Sequence, residues 1–342
     1  MTVDKNCKEE TYKKIFLIIA VVLLCTIIMA LSTGRYTISF FDTIKILLSY
    51  ILPIDNTWGV TAEGVILNLR LPRLLGAILI GSAFALSGAS YQAVFKNPLV
   101  SPDLLGVSSG ATVGAALVIL FGGDKLMIQL GAFSGGILAV VLATTIPKLL
   151  KKNSIMLLVL SGIIVSGLMS SIIGVIKFLA DPEDQLAAIV YWQMGSLAKI
   201  HMPDIYAIFP VIAITSIVLL AIRWRVNILT LGDREAQLLG VNVTLLRTVV
   251  IICATMLTAS AVSISGTIGW LGLVIPHLAR LLIGPDNTKV FPISILLGAI
   301  FLIFVDTLAR VLTPAELPLT ILTGLIGAPF YFWLLARQRV RL

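Results

Sequence analysis

Residues 155–177 read Ile-Met-Leu-Leu-Val-Leu-Ser-Gly-Ile-Ile-Val-Ser-Gly-Leu-Met-Ser-Ser-Ile-Ile-Gly-Val-Ile-Lys, and the closing Lys177 is the first charge in the stretch. A bilayer core takes about 20 apolar residues in helical form, so this segment is long enough to cross a membrane. Working outward, runs of the same kind lie at 15–31, 72–91, 103–121 and 126–147 on one side, and at 203–222, 247–265, 267–283, 290–308 and 319–336 on the other. Composition agrees. Of the 342 residues, 58% are apolar and 12% charged, and the mean hydropathy is +1.05. A soluble domain is about 45–50% apolar and about 25% charged, and disordered chains are less apolar still. The residues predict an all-α polytopic membrane protein, a single transmembrane domain over 1–342 with about ten spanning helices of about 20 residues.

The basic residues predict its orientation. The run Ile15–Leu31 follows Lys5, Lys8, Lys13 and Lys14. Ala30-Leu31-Ser32 resembles a cleavage site, but an apolar run of about 17 residues exceeds the signal-peptide core of about 7–15, so it reads as a retained helix. With the N-terminus inside, 17 of the 25 Lys and Arg fall in inner segments and 8 in outer ones. Cytoplasmic segments carry the excess of Lys and Arg, so both termini are expected in the cytoplasm. Residues 1–14 then form a cytoplasmic tail and 223–246 the largest cytoplasmic loop. In the outer segment 34–71, Ile38, Phe41, Ile44, Leu47 and Leu48 recur at helical spacing, as in a helix lying on the membrane surface.

Several chemistries are excluded. The net charge of +8 and pI near 9.5 would suit a nucleic-acid binder, but the charges sit in short groups between apolar runs, so the expected partner is the lipid bilayer and no nucleic acid. Cys7, Cys25, Cys253, His201 and His277 have no metal-ligand spacing, and no metal or cofactor is expected in this chain. Gly106-Val-Ser108-Ser-Gly110 matches the G-x-S-x-G of hydrolases, which works only on a strand-to-helix turn. Here it opens an apolar helix, and Gly106, Gly110 and Gly114 read as close-packing positions. There is no catalytic motif and no phosphate loop, so any ATP hydrolysis belongs to another subunit. The spans carry almost no ionisable groups, which counts against proton- or sodium-coupled transport. Asp306 and Arg310, four apart, can pair on one helix face. The short segment Thr230–Val241 reads equally as a solvated loop helix or as a knob for a partner, anchored by Leu238 and Leu239.

Seven groups of residues together resemble a known family. The first five are Arg70-Leu-Pro-Arg73, then Asn97-Pro-Leu-Val-Ser-Pro-Asp-Leu-Leu-Gly-Val-Ser-Ser-Gly110, Tyr191-Trp-Gln-Met-Gly-Ser196, the Leu231–Gly240 loop and Gly266-Thr-Ile-Gly-Trp-Leu-Gly-Leu-Val-Ile-Pro-His-Leu-Ala-Arg280. Ala315-Glu-Leu-Pro318 and Gly324-Leu-Ile-Gly-Ala-Pro329 close the set. In order from about 65 to 335, they resemble the membrane subunits of ABC importers for iron–siderophores, haem and cobalamin. The resemblance implies a permease in the cell membrane acting as a dimer with a second permease subunit, the same chain or a paralogue. It also implies two cytoplasmic ATPase subunits that bind ATP and Mg, and an extracytoplasmic substrate-binding protein. On that resemblance, Arg70, Arg73 and Arg310 dock the binding protein, and Gly232, Asp233, Glu235, Leu239 and Gly240 contact the ATPase. The inner gate falls near Ser154, Ile155 and Met156. Ser161, Ser166 and Ser170 either line the path or pack helices. An iron–siderophore complex is the expected cargo, with haem or cobalamin as alternatives and a stand-alone secondary transporter as the rival.

Overall fold

The computed structural model describes residues 2–34, 36–49, 52, 58–151 and 154–339. Arg35, Lys152 and Arg341, which enter the charge count above, lie outside the described residues. The chain is helical throughout: α1 (Thr2–Ser32), α2 (Phe40–Leu48), α3 (Val60–Gly64), α4 (Leu71–Val94), α5 (Val107–Leu120), α6 (Lys125–Leu149), α7 (Ile155–Leu179), α8 (Gln185–Met194), α9 (Met202–Leu229), α10 (Asp233–Leu238), α11 (Val243–Ser265), α12 (Leu271–Ile283), α13 (Asn287–Leu312) and α14 (Leu319–Arg339). A π-helical turn over Val65–Arg70 joins α3 to α4 into one helical stretch. Each of the ten apolar runs becomes a helix, and α2 forms within 34–71, where the apolar spacing predicts a helix. Among the described residues, seven helices are long and apolar enough to cross a membrane, and three more are shorter.

Two of the expected spans are shorter than their apolar runs. The run 267–283 turns helical only at Leu271, and thirteen residues make about 20 Å of helix, less than a bilayer core of about 30 Å. The run 103–121 opens on a 3-10 turn over Pro102–Leu105, and α5 begins after Gly106, whose φ of +80° a side chain would resist. Non-helical backbone is tolerated at membrane depth only where protein satisfies it, and that is how both segments are held. Ser196 N–H donates to Ser265 O at 2.8 Å, Thr267 Oγ1 to Gln193 O at 2.6 Å and Thr320 Oγ1 to Thr267 O at 2.7 Å. Gln92 Nε2 donates to Val100 O at 3.1 Å. Hydropathy registers only apolar content, so it cannot see these breaks.

Helix α4 is the axis of the bundle. Of the most apolar part of the helical stretch Val60–Val94, 78% is buried, against 22% in α7. It meets α13 at Gly81 and Gly298 and α12 at Gly88 and Gly272, where a Cβ would enter the neighbour's backbone. Small residues let helices approach this closely where no hydrophobic force drives them together. Gly110 and Gly114 do the same for α5 against Gly135 and Gly131 of α6, the packing role their spacing suggested.

Candidate functional site

Chemistry-bearing residues collect at the two ends of α4. Its 24 residues span about 36 Å at 1.5 Å each, so these ends lie on opposite faces of the bundle. At the first end, Arg73 is clamped between two carboxylates. Its Nε lies 2.8 and 2.9 Å from the Asp306 oxygens, its Nη2 2.8 Å from Asp306 Oδ1, and its Nη1 3.0 Å from Glu316 Oε2. Arg310 Nε adds an ion pair to Asp306 Oδ2 at 3.4 Å, as the i,i+4 spacing predicted. Arg70 is buried and donates to the carbonyls of Leu31, Ser32 and Tyr36.

These contacts close the end of α1. A helix leaves its last four carbonyls without partners. Here Met29 O accepts Thr33 N–H, Ala30 O accepts Arg310 Nη2, and Leu31 O and Ser32 O accept Arg70. Cations at a helix C-terminus also complement its dipole. The resemblance implies that the three arginines dock an external partner, and only Arg310 has an internal partner, Asp306, that its spacing predicts. The structure instead commits each to the chain, because a guanidinium buried among apolar helices needs acceptors. Arg73 and Arg310 face the two carboxylates, while Arg70 is held by carbonyls and leaves the group one positive charge in excess. Glu316, which sequence reasoning did not assign, is the more exposed carboxylate of the set at 31%.

At the other end, α10 is a single short helix on a glycine hinge. Gly232 has φ +150° and ψ +156°, a conformation essentially restricted to glycine, and Gly240 closes the turn at φ +78°. Asp233 ties the hinge down: Arg247 Nη2 donates to it at 2.9 and 3.1 Å and Lys96 Nζ at 3.0 Å. Burial alone would raise the Asp233 carboxyl, but the hydrogen bonds and charges of Arg247 and Lys96 outweigh it and hold the group below its ordinary 3.8. Ala236 is fully buried, while Leu231, Leu238 and Leu239 stand exposed beside Arg234 and Glu235. Thr230–Val241 is therefore an anchored knob with three unburied leucines.

The residues expected to line a path divide. Ser154 precedes α7 and is exposed, Ile155 is half-buried, and Met156 is 82% exposed. Ser161 is fully buried and donates to Leu157 O at 2.7 Å, so its hydroxyl is spent within its own helix. Ser166 packs by Gly106. Ser170 opens instead onto a cavity of about 270 Å³, also lined by Asp103, Ser108, Ser109, Thr112, Gln193, Thr267 and Thr320. Ser108 Oγ donates to Asp103. The Asp103 carboxylate thus lines the cavity from the 3-10 turn that precedes α5. Reading 106–110 as glycine packing was correct but hid its other face, which Ser108, Ser109 and Thr112 make polar.

A multi-pass helical bundle with a cavity partly lined by polar groups and an anchored knob at one end has the build of a membrane permease. Residues 21–337 match the FecCD transport family, and the chain belongs to that family. It is 38% identical over 328 residues to the molybdate import system permease protein MolB of Haemophilus influenzae, covering 95% of this chain and 96% of that one. It is 43% identical over 275 residues to an iron chelatin transport system permease protein of Helicobacter pylori, covering 80% and 83%. A solved structure, described as an inward-facing conformation of a transporter assigned to the metal-chelate ABC type, superposes with a TM-score of 0.86 at 36% identity, covering 95% of this chain and 99% of that one. The protein is a multi-pass permease of the cell membrane and the transport component of an ABC importer. ATP hydrolysis resides in a separate subunit, and family members work with ATPase and substrate-binding partners.

Proposed function

We propose that this chain forms half of the translocation path of an ATP-driven, binding-protein-dependent importer whose cargo is an iron–siderophore complex. The observation that carries the reading is α10. A short helix pinned by Asp233 to Arg247 and Lys96, with Leu231, Leu238 and Leu239 unburied, suits a socket on an ATPase that moves when ATP is bound. The excess of Lys and Arg around it supports a cytoplasmic position for this end and for both termini. Arg70, Arg73 and Arg310 then lie on the far face, where their one excess positive charge draws acidic groups of a binding protein. Exposed apolar residues on the thinly covered α7, among them Leu160, Ile163, Ile164 and Leu168, suit a second permease subunit across the path. Two ATPases with their ATP and Mg complete the assembly.

The choice of cargo is supported by the relative named for iron chelatin transport. The polar part of the cavity lining is one carboxylate, hydroxyls and an amide. Haem or cobalamin would use the same machinery.

Two measurements test this. Replacing Leu239 with Asp should detach or uncouple the ATPase while the permease still folds; normal uptake by that variant sinks the knob assignment. Cells carrying the transporter should accumulate radioactive iron supplied as a siderophore complex in preference to radioactive molybdate. The reverse preference would reassign the cargo to the oxyanion, and uptake that persists without any ATPase would point to secondary transport.

A further inference from the structure

We propose that Glu316 is an internal stand-in for a carboxylate of the docking partner: it holds Arg73 in the free permease and is displaced when an acidic partner binds at that end. The inference rests on the reading that this end receives a binding protein. It adds the exchange of one carboxylate for another, and the loop that the exchange releases.

Arg73 has two carboxylate partners of different character. Asp306 binds it through Nε and Nη2, is 4% exposed and rides on α13, which is locked to α4 at Gly81 and Gly298. Glu316 reaches only Nη1, is 31% exposed and belongs to the connection 313–318. Its φ is +48°, a left-handed conformation that side chains other than Asn and Asp rarely adopt. The contact is thus held from a strained loop. A carboxylate arriving from solvent can take Nη1 without that strain, and the excess positive charge favours its arrival. Arg70 and Arg310 cannot be given up so cheaply, because their donors close the end of α1.

The far end of the same loop reaches the cavity. Leu319 N–H donates to Gly195 O at 3.0 Å and Thr320 Oγ1 to Thr267 O at 2.7 Å, while Thr267 Oγ1 donates to Gln193 O at 2.6 Å. Thr320, Thr267 and Gln193 all line the cavity. Releasing Glu316 therefore loosens a connection that joins the docking end to the cavity wall, an element with two arrangements that the partner biases.

The test is the affinity of the purified substrate-binding protein of the same system for the permease–ATPase complex in lipid nanodiscs. A partly exposed ion pair contributes up to about 1 kcal/mol, so Glu316→Gln should tighten binding about three- to fivefold. Glu183→Gln removes the same charge from the exposed α7–α8 connection at this end without touching Arg73, and should change affinity less than about twofold, the effect of screened charge alone. If E316Q lowers the yield of folded complex, E316G, which suits the positive φ, carries the same expectation. Unchanged or weaker binding by the Glu316 variants, or equal tightening by E183Q, overturns the proposal. Failure of the wild type to bind the protein at all would instead overturn the docking reading and this proposal with it.

Discussion

Asp306 should carry more stability than any other carboxylate in the chain. It is 4% exposed and lies between Arg73, itself 10% exposed, and Arg310 at 12%. Neutralising it by Asp306→Asn leaves two buried guanidiniums with only the half-exposed Glu316 between them. Removing one partner of a buried ion pair costs about 3–5 kcal/mol, much of it the penalty on the charge left behind. Arg73→Met strands Asp306 with Arg310 alone at 3.4 Å, and should cost a similar amount. The double variant Arg73→Met/Asp306→Leu removes both charges at once. Arg310 then keeps Ala30 O and Thr307 Oγ1, and Glu316 can turn to water. Replacing a buried pair with apolar groups of similar volume is often close to neutral, so the double variant should be more stable than either single one. Unfolding in mixed micelles, read as the detergent-titration midpoint for all four proteins, closes the cycle. If the two single losses simply add in the double variant, the pair is not coupled and the reasoning fails.

Other perturbations probe the rest of the bundle. Gly88→Ala pushes a methyl into the Gly272 carbonyl of α12, and overpacking of this kind costs about 1–3 kcal/mol; Gly167→Ala on α7 meets nothing within 4 Å and should be neutral or up to about 1 kcal/mol stabilising, as thermal midpoints in detergent can show. Arg70→Leu removes the donors to Leu31 O, Ser32 O and Tyr36 O and should raise hydrogen exchange at the end of α1 by about tenfold or more, at about 1–3 kcal/mol for an unsatisfied buried group. Asp233→Asn should lower the thermal midpoint at neutral pH. Because the native Asp233 carboxyl lies below its ordinary 3.8, its contribution is fully present above that value and lost as pH falls through the depressed one. The gap between wild type and D233N should therefore close only in acid; a gap that closes between neutral pH and 5 would contradict the assignment.

Much of this was legible because membrane helices advertise themselves. Ten apolar runs located ten helices, since burial in lipid demands long uncharged stretches whatever the tertiary fold, and the spacing from Ile38 to Leu48 located α2. Thr230–Val241 was legible for a different reason: glycines bracket it, and exposed leucines beside charges are unusual at a bundle end. What hydropathy could not show is where a run stops being helix. Gly266–Trp270 is held at Thr267 by bonds to Gln193 and Thr320, residues remote in sequence. The arginines show the same limit. Arg70 and Arg310 read as surface cations because charge in sequence carries no record of acceptors, and the acceptors are the open carbonyls of α1.

The two chemically active ends share one helix, and this constrains how they can communicate. Arg73 sits in the first turn of α4, and Lys96, which holds the Asp233 hinge, follows its last turn. Between them α4 is close-packed at Gly81 and Gly88 against backbone atoms of α13 and α12. Packed interiors of this kind do not deform continuously; they move as units or switch between discrete arrangements. A local bend in α4 is therefore a poor carrier of a signal, whereas a small rotation of α4 with α13 and α12 would move Arg73 and Lys96 together. Asp306 rides on α13 and so moves with Arg73, while Glu316, on the connection beyond α13, need not. The contact that must break in such a rotation is the one between Arg73 and Glu316, the same contact an arriving carboxylate would replace.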